Sequence, residues 1–185
     1  MIKIPQVCFI LLLQFCPTVA YTQIGSAETQ VNVLIGQVLS IEIMQPSVNI
    51  QMGMAPDFIN GAESGNQNNY IKVTSNSAYC VTVRALTGTF SNNGNNTTLP
   101  VNTINIQTTL GDDLTGAGAA SPPGLQTMPN TPLSENEMTI INSPVGESAR
   151  GFNIKYKIPG GQSNAYLNRP PGNYTTQVIY SIVPQ

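Results

Sequence analysis

Ile71-Lys72-Val73-Thr74-Ser75-Asn76-Ser77-Ala78-Tyr79-Cys80-Val81-Thr82-Val83 is the stretch on which the fold turns. Its apolar residues fall at 71 and 73, then at 79, 81 and 83, with polar or small residues between them. A period of two places one row of side chains in a core and the other toward solvent, which is the pattern of a half-buried strand. Ser75-Asn76-Ser77 interrupts the alternation with residues that bond their own backbone, and so reads as a turn or bulge between two strands.

The same period extends outward in both directions. Upstream, Val31, Val33, Ile35, Leu39, Ile41 and Ile43 alternate with residues that include Asn32, Gly36, Ser40 and Glu42. That run exceeds the usual strand length of about 5–6 residues, so Gly36 is expected to mark a bend or a break. Val48, Ile50 and Met52 repeat the pattern. Downstream, Val101, Ile104 and Ile106 predict a short strand and Met138 to Ile141 a weaker one. Phe152, Ile154, Tyr156 and Ile158 alternate with Asn153, Lys155 and Lys157, whose lysines suit an edge strand or a solvated face. Tyr174, Thr176, Val178, Tyr180 and Ile182 form the clearest row, opened by Gly172-Asn173.

Turn-rich segments separate these runs: residues 60–69, 91–98, 111–132 and 159–171. The stretch 111–132, rich in Gly, Ala and Pro, is expected to be a long flexible surface loop. No helical period is sustained and no internal repeat is found. The expected fold class is all-β, a single immunoglobulin-like antiparallel sandwich. Ser134-Glu135-Asn136-Glu137 has the form of a helix capping box but stands before the Met138 run, so a turn is expected there.

The first 20 of the 185 residues read differently. Lys3, an apolar run from Val7 to Phe15 and the small-residue ending Thr18-Val19-Ala20 make a secretory signal peptide. Residues 21–185 are then the β-sandwich domain, with 21–36 either an N-terminal extension or its first strand. The expected location is exported, extracellular or on the cell surface, by way of a periplasm where the host has an outer membrane. Cleavage after Ala20 removes Cys8 and Cys16 and leaves Cys80 alone, so stability has to come from packing. It also removes Lys3, taking the net charge from −2 to −3. Nucleic acid is excluded as a partner on that balance, since phosphate binding needs clustered Lys and Arg. The mature chain carries no apolar run of the roughly 20 residues that a spanning helix requires.

Histidine is absent, which removes Ser-His-Asp and Cys-His catalysis and the commonest metal ligand. The three Asp (Asp57, Asp112, Asp113) and six Glu show no spacing that selects a catalytic pair. Gly111-Asp112-Asp113 offers hard oxygen ligands for calcium but lacks the further acids of a calcium loop. Cys80 has no adjacent base and reads as a small buried hydrophobe. Asn95, Asn96 and Asn173 open glycosylation patterns, as an Asn-rich chain does by chance. A non-enzymatic protein with no cofactor and no metal is expected.

The 71–76 and 79–83 runs, the Asn60-Gly61 turn and the ending Pro170-Pro171-Gly172-Asn173-Tyr174 through Ile182 together resemble bacterial fimbrial subunits, spore-coat-like pilins and related adhesin domains. That resemblance implies an immunoglobulin-like sandwich and a surface role as a structural or adhesive subunit. The paired cysteines of many such pilins are missing here. Its assembly counterpart is strand addition, in which an extended segment of one subunit completes the open sheet of the next. Val31, Val33 and Ile35 are the candidate assembly strand, with an ordinary first strand of their own domain as the alternative. Expected partners are further copies, other surface proteins, or a host or glycan ligand. The other reading is a stand-alone extracellular glycan- or ligand-binding sandwich.

Overall fold

The computed structural model of the chain describes residues 26–185, so the signal-peptide reading of residues 1–20 lies outside the described residues. In chain order the elements are β1 (Leu39–Ile43), a one-turn helix α1 (Asp57–Asn60), β2 (Gly61–Glu63), β3 (Gln67–Ser75), β4 (Tyr79–Ala85), β5 (Thr89–Asn92), β6 (Asn95–Pro100), β7 (Asn105–Asp113), β8 (Gln126–Thr127), β9 (Thr131–Pro132), β10 (Met138–Ser143), β11 (Glu147–Pro159), β12 (Tyr174–Thr175) and β13 (Val178–Pro184). Short 3₁₀ turns occupy Val101–Thr103 and Gly160–Tyr166. Residues 36–185 form one compact unit; residues 26–35 belong to another and carry no regular structure.

The fold is an antiparallel β-sandwich. One sheet runs β1-β3-β11-β7-β9, with β2 sharing the β3 side of β11. The second runs β13-β4-β10-β8, and a small third sheet joins β12, β5 and β6. Successive long strands change sheets: β3 belongs to the first, β4 to the second, β7 to the first, β10 to the second, β11 to the first and β13 to the second. Ser75-Asn76-Ser77 is thus the corner where the chain crosses from one sheet to the other. The β10–β11 corner lies against it, and each is closed by a serine that donates to the carbonyl two residues on, Ser75 Oγ to Ser77 and Ser143 Oγ to Val145. Gly146 packs here because a Cβ would stand 2.5 Å from the Ser75 carbonyl oxygen.

The inward rows predicted from the alternation form the core. Ile71, Val73, Tyr79, Val81, Phe152 and Ile154 are all fully buried. Each such side chain contributes about 1.5–3 kcal/mol by leaving water. β11 is a central strand, flanked by β3 and β7, so Lys155 and Lys157 mark a solvated face and the edge reading of this strand is excluded. Lys155 meets Glu63 at 3.3 Å on that face.

Several expectations meet a different outcome. Val101 begins a 3₁₀ turn, and the strand starts only at Asn105. Val48, Ile50 and Met52 lie in no strand despite their alternation. The row from Tyr174 to Ile182 is divided between β12, in the small sheet, and β13, in the second sheet. The 111–132 segment opens with the end of β7 and carries β8 and β9. It is also pinned in its middle, where the carbonyls of Ala119 and Ala120 accept hydrogen bonds from Arg150 Nη2, each at 3.1 Å.

Arg150 belongs to a buried polar group between the sheets. Its Nε donates to Glu147 Oε1 at 2.6 Å, and Tyr79 Oη donates to Glu147 Oε2 at 2.7 Å. Burial, together with the Glu147 carboxylate beside it, holds the Tyr79 hydroxyl far above the ordinary phenol range.

Candidate functional site

The core has one seam that does not close. Val178, Tyr180 and Ile182 of β13 and Val48, Ile50 and Met52 of the opposite segment all pack against the core, yet each is only half-buried. A cleft of about 920 Å³ opens beside them, lined on one wall by residues from Pro46 to Gly53, Val48, Ile50 and Met52 among them, and on the other by Arg169 to Ile179, so that of β13 only Val178 and Ile179 reach it.

Part of the backbone on each wall has no partner among the described residues. β13 pairs with β4 along one edge, and among the described residues its other edge has no partner strand. Opposite it, Met44 N–H donates to the Tyr70 carbonyl and Gly53 N–H to Asp57 Oδ2, but among the described residues the backbone from Gln45 to Met52 makes no hydrogen bond. Backbone without a protein partner bonds water where it is exposed, as Gln45 to Ser47, Asn49 and Gln51 are, and is free to take a strand partner instead. Here the segment 45–52 faces the start of β13 across a cleft of mixed polar and apolar lining.

Aromatic residues make its floor. Tyr70 meets Tyr156 and Tyr180 edge-on, with centroid separations of 6.4 and 6.0 Å. The hydroxyls of Tyr156 and Tyr180 share a hydrogen bond, and Tyr166 Oη pairs with Thr103 Oγ1 at 2.8 Å. Tyr70 and Tyr156 are only 5% and 7% exposed, so their rings serve as packing rather than as open stacking platforms.

Burial raises the pKa of Tyr70, Tyr156, Tyr166 and Tyr180 above the ordinary value of 10.0. A phenol whose folded pKa is raised contributes stability that is intact below pH 10 and is lost as the pH climbs from there through the folded values. Spectrophotometric titration of tyrosinate absorbance should therefore show these phenols silent at pH 10, then ionising together with unfolding at higher pH. A smooth titration of most tyrosines near pH 10 without unfolding would contradict the buried floor.

The residues weighed for chemistry are engaged in local structure. Asp57 accepts the N–H groups of Gly53 and Met54, and Asp112 accepts the side-chain amide of Asn69. Asp113 accepts the Thr115 hydroxyl and the N–H groups of Thr115 and Ala119, which lower its pKa to about 2. These contacts make the three aspartates anchors of their local turns. No group of three or more His, Cys, Asp or Glu suited to a metal occurs among the described residues. Cys80 is half-buried, set between Val183 of β13 and Asn142 of β10. Asn95, Asn96 and Asn173 are exposed.

Val31, Val33 and Ile35 stand outside any strand, 78%, 79% and 83% exposed, and Leu34 beside them is 97% exposed. Among the described residues the first strand begins at Leu39. The sequence signal for the cleft is the alternation at 48–52; the missing strand partner shows only in the three-dimensional fold. No protein-family model matches the chain, and no curated protein matches it at a significant level. Among the described residues, no helix is long and apolar enough to cross a membrane.

Proposed function

We propose that the protein is an exported, non-catalytic cell-surface subunit of structural or adhesive type, which assembles by accepting an extended strand into the cleft beside β13. What carries this reading is the unclosed seam: a cleft beside the start of β13, opposite the segment 45–52, whose backbone makes no hydrogen bond among the described residues. An inserted strand would bond to β13 on one side and to residues 45–52 on the other. Each such hydrogen bond contributes about 0.5–1.5 kcal/mol net.

The occupant with matching chemistry is the segment of Val31, Val33 and Ile35 from another copy. Its apolar row would contribute about 1.5–3 kcal/mol per side chain on burial, offset by the cost of ordering and association. Leaving these residues exposed in the monomer is unfavourable, and strand addition removes that exposure together with the open edge. The export part of the reading rests on the signal-peptide pattern of residues 1–20.

The test uses the chain from residue 21 onward, run in SDS with and without boiling. The expected result is a heat-sensitive ladder at multiples of the subunit mass, abolished by deleting residues 21–35 while the remaining domain stays folded. An unchanged ladder after that deletion sinks the proposal. A monomer in all lanes sends attention to the other reading, a ligand-binding module, because the cleft volume lies within the usual range for small-molecule sites of about 300–1,000 Å³.

A further inference from the structure

Strand addition leaves open whose cleft a segment fills, its own or a neighbour's. The pairing of the strands decides where the cleft stands. Val178, which lines it, pairs with Ala85 at the end of β4, whereas Pro184 pairs with Tyr79, next to the Ser75-Asn76-Ser77 corner. The span from Pro184 back to Val178 is about 20 Å at roughly 3.3 Å per residue. β11 gives the same polarity: its Glu147 lies across from Ser75 at the corner, and Ile158, which also lines the cleft, stands near the other end of the strand.

Gly36 is tied to the corner, at the opposite end from the cleft. Its carbonyl accepts Asn76 Nδ2 at 2.7 Å, Val38 N–H donates to Asn76 Oδ1 at 2.9 Å, and Asn76 N–H donates to the Val38 carbonyl at 3.2 Å. β1 then leaves the corner with Leu39 across from Ser75. An extended chain spans at most about 3.3–3.6 Å per residue, so from Gly36 Ile35 reaches about 4 Å, Val33 about 11 Å and Val31 about 18 Å, in whatever direction the segment points. All three stop short of the start of β13. Ser26 to Gln30 have the length to arrive there, but they carry no alternating apolar row.

We infer that no copy fills its own cleft with Val31, Val33 and Ile35, because the root of the segment at Gly36 is held at the wrong end of the sandwich, and that the cleft is thereby reserved for a second copy of the chain. The inference rests on the strand-addition reading and adds to it that the exchange is between molecules by a limit of reach. Asn76 is the positioning residue that sets this limit.

The experiment inserts about fifteen Gly and Ser residues between Ile35 and Gly36 in the chain from residue 21 onward. Such a linker spans about 20 Å on average and presents the apolar row to its own cleft at an effective concentration of the order of millimolar. The heat-sensitive ladder is expected to give way to a monomer, with oligomer falling at least about tenfold at micromolar subunit, and residues 26–35 should become resistant to a broad-specificity protease. The same insert placed ahead of Ser26 lengthens the chain without changing the reach of the row, and should assemble like the parent. A linker variant that assembles like the parent, or one whose segment stays sensitive to protease, overturns the limit of reach while strand addition stands. A monomeric parent with a protected segment also overturns it, because the chain then fills its own cleft. A monomeric parent with a sensitive segment overturns strand addition itself.

Discussion

Glu147→Ala is expected to destabilise the protein by about 3–5 kcal/mol, the cost of leaving a buried charge without its partner. Glu147 and Arg150 have side chains only 4% and 6% exposed, and their 2.6 Å contact places them beyond the screening that weakens surface pairs. Alanine would strand the guanidinium and also remove the acceptor of the Tyr79 hydroxyl. Replacing both charges, as Glu147→Ala with Arg150→Met, should cost less than Glu147→Ala alone, because no uncompensated charge is left. Tyr79→Phe is expected to cost about 1–2 kcal/mol through the unsatisfied carboxylate oxygen. Urea unfolding at neutral pH measures all of these. A Glu147→Ala variant within 1 kcal/mol of the parent would mean that water reaches Arg150 and that the two corners are less tightly joined than described.

Gly61→Ala should be the most damaging change among the glycines, at about 3 kcal/mol or more. Gly61 has φ +84° and ψ −176°, a region open essentially to glycine alone. A Cβ there would lie 2.0 Å from the Ile158 carbonyl oxygen, and the obstacle is backbone of the paired strand β11, which cannot rotate aside. The damage would spread to the cleft, because α1 next to Gly61 is held to the 160–166 turn by the bond from Ser163 Oγ to the Phe58 carbonyl. Gly116→Ala makes the control. Gly116 also has positive φ, +77°, but a Cβ meets open space, so only the backbone strain of about 1 kcal/mol remains. Equal melting temperatures for the two variants would contradict the close approach of β2 to β11.

Much of the sandwich was legible in the alternation because its rows are set by burial on one face. Ile71, Val73, Val81, Val83, Phe152 and Ile154 were assigned to the core by period alone and are buried. Pairing was not legible. The lysines of β11 say that one face meets water, but whether the strand is central depends on β3 and β7, which lie far away in sequence. The cleft was hidden for a related reason. Val48, Ile50 and Met52 have the period of a strand, and a strand exists only when its backbone finds a neighbour. The alternation at 31–35 shows the same ambiguity, since a row of apolar side chains fits its own sheet or another molecule's equally well.

The position of β11 also bears on how quickly the chain can reach this structure. β11 pairs with β2, β3 and β7, all of which precede it, and its Lys157 and Ile158 lie across from Glu63 and Ala62. The first sheet therefore has no continuous row until Glu147–Pro159 arrives between strands already made. Loop-closure entropy opposes such distant pairings before any contact rewards them, which places the protein among the slow, high-contact-order folders. Until then β3 and β7 each wait with an open side, a window in which misassociation competes with completion of the domain.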